Sequence, residues 1–493
     1  MNNVTIRAVI LLFTIGLCGS TVASSSTATR AASQRLPLTM CESSWSNDSI
    51  LCGRYEVPEN RALADGRKIS LNIIVIPALA ENPEPDPIFF FEGGPGVAAT
   101  DAAYFFAEES AFRKKRDIVL VDIRGTGDSN PLHCNLVGDS SVVQNFVKEM
   151  YPPELVEACR LELEQRADLT QYATTNAMAD IDEVRAWLGY EKINIIGISY
   201  GGRAAFVYAR AYPEHVRSMV LIGPADIESK MPLYHAYEAE EAFDSLFTDC
   251  RADSSCNEAF PNLETELRTF VEELRFNPAL TTIADEYTME PTTVIIRADV
   301  FVEALRSAMY SSSGARQVPW IVHQAVLGNY APFLERMKPE VTGYPPFLAE
   351  GAYLSITGAE DAPFISATEA DSLTAGTLLG DYRIAQQRRA AELWPKGELP
   401  EDYFKNLTVD APTLILQGGR DPVIGCHKAI KYFSNGREIV IPQMAHMPDG
   451  LSDAQCIDDL MLDFFDIVDL NSIDTFCIRS MAPPPFKVSE EEE

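Results

Sequence analysis

Basic residues are scarce in this chain: 40 Lys plus Arg stand against 72 Asp plus Glu, a formal net charge of −32 over 493 residues. Such a balance repels polyphosphates and anionic lipid, so nucleic acid and membrane surfaces are excluded as main partners. Histidine is scarcer, with six in the chain. None of them joins a cysteine cluster at ligand spacing and no CxxC pair occurs, so no metal site is expected. There is no Gly-X-Y period or longer internal repeat, which removes collagen-like and solenoid architectures. No apolar run reaches the roughly 20 residues that cross a bilayer.

What the chain does have is a globular composition, 46% hydrophobic and 9% aromatic, enough to bury a large core. At its start, MNNVTIR carries one Arg and no acid. It is followed by about ten apolar residues, Ala8 to Leu17, and then by the small residues around Ala23, the pattern of a secretory signal peptide over residues 1–23. A lipoprotein reading through Cys18 is weaker, because the residue before it is Leu17 rather than a small one. The expected location is therefore periplasmic or extracellular, where disulfides are permitted. Of the ten cysteines, Cys18 falls inside the signal, and local spacing among the other nine pairs Cys41 with Cys52, Cys134 with Cys159, Cys250 with Cys256 and Cys456 with Cys477, leaving Cys426 single.

Residues 24–36 are rich in Ser, Thr and Ala and read as a leader. Ile69 to Pro77 alternates and then runs apolar, and apolar runs without alternation follow: PIFFF ending at Phe91, DIVLVDI over 117–123, Ile193 to Ile198 and Val216 to Ile222. Runs of this kind suit a parallel sheet covered on both faces. Helical spacing over 178–188 and 201–212 places helices between them, so the order is that of right-handed βαβ crossovers. From about 226 to 405 the rhythm gives way to acid-rich segments such as HAYEAEEAFDSLF, read as a helical insertion without sheet. It returns at TLILQ (413–417), Glu438 to Ile441 and a helix over 458–468. The expected organisation is α/β: a core over 24–225, a helical cap over 226–405, the core again over 406–480, and a disordered acidic tail over 481–493.

Gly197-Ile198-Ser199-Tyr200-Gly201 is G-x-S-x-G, directly after one of these strands and directly before a helix. The turn is so tight that small residues are needed two before and two after the Ser, which is thrust out at the carboxyl edge of the sheet. A serine needs a base to take its proton, and the base needs an acid to hold its tautomer. His446 alone follows the last strand, on a loop with Pro and Gly. His133, His215, His235, His323 and His427, the last opening a helix beside Cys426, read as structural or surface residues. The acid must also come from a strand end; Asp421 in QGGRDP fits, with Asp449 and Asp453 as competitors. The order Ser199, Asp421, His446 is that of α/β-hydrolases. An oxyanion needs two N–H donors, for which Tyr200, after the nucleophile, and Gly94, in EGGPG, are expected.

Taken together, Gly93-Gly94-Pro95-Gly96, Asp122-x-Arg124-Gly125-x-Gly127-x-Ser129, Gly197-x-Ser199-x-Gly201-Gly202, Asp421 and His446 resemble the proline iminopeptidase and tripeptidyl aminopeptidase family of α/β-hydrolases, over about 41–477. The resemblance implies a helical cap between the sixth and seventh strands of the sheet. It also implies a carboxyl-terminal portion like that of secreted tripeptidyl aminopeptidases, whose late cysteines resemble Cys456 and Cys477. Three positions depart from the family: Glu92 stands where His often precedes GGPG, Ala445-His446-Met447 replaces a GHG-like loop, and Ile424-Gly425-Cys426 replaces Thr-Pro-Pro. In this family cap acids recognise the free amine of a peptide, a role for which Glu360 in SITGAED is the closest match, with Glu240 and Glu241 behind it. The implied activity is a serine peptidase releasing residues from the amino terminus through an acyl-enzyme, with no cofactor. A carboxylesterase using the same triad and a non-catalytic binding protein are the alternatives. Serine at the nucleophile turn argues against dehalogenase and epoxide hydrolase chemistry, which uses Asp there.

Overall fold

The computed structural model describes residues 38–41, 46, 49–108, 110–139, 142–284, 291–338, 348–425 and 427–490. The expected signal peptide and leader, and Cys426, lie outside them. A nine-stranded sheet forms the centre, built from β1 (Thr39–Cys41), β2 (Ile50–Pro58), β3 (Lys68–Ile76), β4 (Ile88–Phe91), β5 (Ile118–Val121), β6 (Ile193–Ile198), β7 (Val216–Ile222), β10 (Thr413–Gly418) and β11 (Gly436–Ile441). Its order is β1-β2-β3-β5-β4-β6-β7-β10-β11. Pairing is antiparallel from β1 to β5 and parallel from β5 onward.

Every residue of β4, β5 and β10 is buried. That explains their unbroken apolar sequence, because helices cover both faces of a parallel sheet. The helices beside the sheet are α2 (Thr174–Trp187) and α3 (Tyr200–Ala211), with α10 (Gln455–Ile467) after the last strand, whereas α1 (Pro153–Leu163) clusters with Tyr353, Ala390 and Trp394 of the insertion. In α10, Ile457, Leu460, Met461, Phe464 and Phe465 fall on one helical face and join Phe90, Leu120, Val220 and Leu416 in one cluster. Each such side chain, fully buried, contributes about 1.5–3 kcal/mol.

Between β7 and β10 the chain leaves the sheet and builds a cap from α4 (His235–Ala252), α5 (Leu263–Phe276), α6 (Ala298–Ala308), α7 (Val318–Val326), α8 (Glu350–Glu360) and α9 (Tyr382–Leu393). The expectation that this insertion holds no sheet is corrected by an antiparallel hairpin, β8 (Ala279–Ala284) with β9 (Pro291–Ile296), in which Thr281 faces Val294. Its residues are largely β-branched, which favours strands. Val294 and Ile296 are buried in the cap cluster while Ile295 between them is exposed.

Two further expectations change. His427 stands on a turn, with φ 64°, rather than opening a helix. Residues 481–490 are not a disordered tail: Met481 is buried in the sheet cluster and Phe486 in the cap cluster. The Arg316 guanidinium lies 3.9 Å from the centre of the Phe486 ring, and Lys487 N–H donates to the Arg316 carbonyl at 3.1 Å. The apolar Phe486 outweighs the polar ending around it. All four expected disulfides form, Cys41–Cys52, Cys134–Cys159, Cys250–Cys256 and Cys456–Cys477. Among the described residues no helix is long and apolar enough to cross a membrane.

Candidate active site

Ser199 caps the amino end of α3 with φ 55° and ψ −117°, a backbone region that costs a non-glycine residue of order 1–3 kcal/mol. Several contacts hold it there. Ser199 N–H donates to the Ile222 carbonyl at 2.9 Å, and the Ser199 carbonyl accepts from Gly202 and Ala225 N–H, each at 2.9 Å. The neighbouring glycines make this possible: a β-carbon on Gly201 would strike the Phe91 carbonyl, and one on Gly197 would sit 2.6 Å from the Gly201 carbonyl oxygen. The motif therefore exists because strand β4 passes directly under the turn.

From β10 and β11 come the other two members. His446 Nδ1 lies 2.8 Å from Asp421 Oδ2, and both side chains are almost fully buried. Asp421 is itself fixed: Oδ1 accepts from Val423 and Ile424 N–H at 2.8 and 3.0 Å, and Oδ2 accepts from Gln417 Nε2 at 3.1 Å. An ionised carboxylate only accepts, so Nδ1 carries the ring proton and Nε2 is left with its lone pair. Asp421, not Asp449 or Asp453, is the partner of His446. The Tyr310 ring packs edge-on against His446, centroids 5.2 Å apart.

Ser199, His446, Gly93, Gly94 and Glu92 share the wall of one cavity of about 770 Å³ between the sheet edge and the cap. Gly93 lies against the Ser199 turn, where a β-carbon would meet Ser199 Cβ at 3.3 Å. The amides of Gly94 and Tyr200 have no acceptor among the described residues, while Gly93 N–H donates to Glu92 Oε1 at 2.7 Å. Burial pushes the Glu92 carboxyl above its usual range, with nearby Asp101 adding to the effect. The residues of the DxRGxGxS stretch stay out of the cavity and frame it. Asp122 accepts from Thr100 N–H and hydroxyl and from Asn72, and Arg124 forks onto Asp180 with two bonds of 2.7 Å.

Glu360 does not reach the cavity, which corrects its expected role with a substrate amine. Its side chain is wholly buried and accepts from Thr174 N–H and hydroxyl at 2.6 and 2.9 Å and from Tyr403 OH at 2.7 Å. Arg203 Nη1 stands 3.7 Å away and is paired with Asp361 at 2.9 Å. Thr174 Oγ1 in turn lies 2.7 Å from Tyr200 OH, so Glu360 braces from behind the helix that follows Ser199. Glu240, one of the acids behind it, is likewise engaged, with Arg268 at 2.7 Å. The acids that do line the cavity are Glu92, Asp101, Glu149 and Glu303, and the residue missed from sequence is His235, buried in the same wall. Nothing local marks it, because its partners arrive from α6 and α9.

The sheet, the inserted cap and the strand-end constellation are those of an α/β-hydrolase, and the chain belongs to the alpha/beta hydrolase fold family, whose profile matches residues 86–448. Among curated relatives it is 29% identical over 222 residues to the serine protease Hip1 of Mycobacterium tuberculosis, covering 42% of each chain. To the tripeptidyl aminopeptidase of Streptomyces lividans it is 28% identical over 253 residues, 47% of this chain and 46% of that one. To the proline iminopeptidase of Neisseria gonorrhoeae it is 29% identical over 142 residues, 29% and 34% of the two chains. In each case the match spans less than half the relative's length.

Proposed function

We propose that this protein is an exported serine peptidase that removes amino acids or short peptides from the amino terminus of peptides. The observation that carries the reading is the Asp421–His446 pair at 2.8 Å, with His446 in the wall shared with the strained Ser199. In the proposed reaction Ser199 Oγ attacks the peptide carbonyl and passes its proton to His446 Nε2, while Asp421 orients the ring and stabilises the imidazolium. The N–H groups of Tyr200 and Gly94 receive the developing oxyanion. His446 returns the proton to the leaving amine, an acyl-enzyme remains on Ser199, and water activated by His446 releases it. Export is supported by the four disulfides, which belong to oxidising compartments. The peptidase reading draws on the names of the relatives, and Glu92 and Asp101, on the Gly93–Gly94 side of the cavity, favour it over a carboxylesterase, whose substrates offer no cation.

Two measurements test it. A fluorophosphonate probe should label the wild type and not Ser199→Ala. A chromogenic panel of a free amino-terminal Pro or Ala, a tripeptide, an amino-blocked peptide and a butyrate ester should be turned over at the free amines. Turnover of the ester alone overturns the peptidase reading.

A further inference from the structure

The cap side of the cavity carries more positive charge than its own acids neutralise. Arg306 of α6 donates from Nη2 and Nε to Glu303 at 2.6 and 3.0 Å, and Arg383 of α9 donates from Nη1 to the same carboxylate at 2.9 Å. One carboxylate thus serves two guanidinium groups whose side chains are only 2% and 12% exposed. Burial pushes Glu303 upward, but Arg306 and Arg383 outweigh it and hold the group below its usual range. Arg306 Nη1 also reaches Tyr310 OH at 3.3 Å, and Arg383 Nη1 lies 3.3 Å from Met150 Sδ. Nε and Nη2 of Arg383 have no acceptor among the described residues. Glu149, the other acid on the cap side, pairs with Arg389 at 3.2 Å.

His235, the first residue of α4, lines the same cavity and is 6% exposed, with neither ring nitrogen hydrogen-bonded among the described residues. Burial, and then the charges of Arg383, Arg306, His446 and Lys428, push its pKa well below the ordinary value, so the ring is neutral and offers one donor and one acceptor. A buried polar group left unpaired costs about 1–3 kcal/mol, and a buried charge without full compensation costs more. Glu92 and Asp101 do not relieve this, because they belong to the Gly93–Gly94 side, where Asp101 raises Glu92.

We propose that His235, Arg306 and Arg383 form a carboxylate-binding subsite, so that substrate is held at an anionic group as well as at the carbonyl presented to Ser199. A carboxylate matches the flat donor array of a guanidinium and can also take a bond from the imidazole. It can come from the α-carboxylate of a short peptide or from an Asp or Glu side chain. For what is cleaved, the inference rests on the serine peptidase reading; for what is bound, it stands alone.

The test uses two matched peptide pairs, free carboxyl terminus against carboxamide and Glu against Gln, with kcat/KM measured for wild type, Arg383→Met and His235→Leu. Fluorophosphonate labelling, which needs no carboxylate, runs in parallel. One pair should favour the carboxylate by about tenfold or more in wild type, a difference within the reach of one charge-assisted contact, and that pair identifies the source. In both variants the preference should collapse to within about threefold while labelling stays within about twofold. Equal turnover of both pairs by wild type overturns the subsite, as does a preference that survives both substitutions. If a variant fails to fold, the wild-type comparison decides. If wild type is not labelled, the peptidase reading falls, and calorimetric binding of the same pairs still decides the subsite, with equal affinities overturning it.

Discussion

Gly223 stands against the ring of His446: a β-carbon built on it would lie 3.2 Å from Nδ1 and 3.3 Å from Asp421 Oδ2. Its φ of +48° is also strained for any other residue. Gly223→Ala should therefore displace the imidazole by a few tenths of an ångström and lower kcat by about 10–10²-fold, since small misplacements at a reacting group are costly. Steady-state kinetics beside a melting curve check this, and an unchanged kcat in a folded variant contradicts it.

Asp421→Asn preserves shape but reverses the proton arrangement. An amide can donate to Nδ1, which leaves the hydrogen of His446 on Nε2, where a base is needed. Turnover should fall by about 10⁴-fold, as for the same exchange in a serine protease triad, with KM nearly unchanged. Pre-steady-state acylation by a chromogenic substrate is the direct measurement.

Arg203 is buried with Asp361 and Glu360 around it, so Arg203→Met strands two carboxylates in the interior. The loss should be about 3–5 kcal/mol, seen as a large drop in unfolding midpoint. Glu360→Gln should also lower stability, yet leave the discrimination between free and acetylated amino termini untouched. A selective rise in KM for the free amine would return Glu360 to substrate binding.

Burial, reinforced by Asp459, raises the Asp458 carboxyl to about 6, against about 3.9 in an unfolded chain. The folded state thus holds a proton that the unfolded state releases, and between roughly pH 4 and 6 stability falls as pH rises. Above that window the group stays ionised in both states and the penalty is constant. Asp458→Asn should raise the melting point at pH 7.5 by an amount worth about 1–2 kcal/mol, allowing for partial exposure. At pH 4 it should change little.

The parts of the fold legible in the sequence are those where local pattern and burial agree. β6 and β7 coincide with their apolar runs because strands covered on both faces tolerate no polar alternation, and the nucleophile turn declares itself by glycines that nothing else would require. By contrast, β2 carries Arg54 and Glu56 on an outer antiparallel strand, so its polar positions hide it. The β8–β9 hairpin is masked by the helix-rich sequence around it. Glu360 matches the family's amine-binding acid by its local setting in SITGAED, and its structural engagement shows only when Arg203 and Thr174 are brought to it from the core. His235 and Phe486 fail for the same reason: their meaning lies in partners distant in sequence, Arg306 and Arg383 for the first and Arg316 for the second.

Met481 is held among the side chains of the sheet and Phe486, five positions on, among those of the cap. Lifting the roof as one piece must therefore uproot one of these two anchors. A fully buried Phe or Met resists extraction by about 1.5–3 kcal/mol, enough to make a raised roof at least about tenfold rarer than a seated one. Any entry to Ser199 that depends on raising the roof is made correspondingly rare.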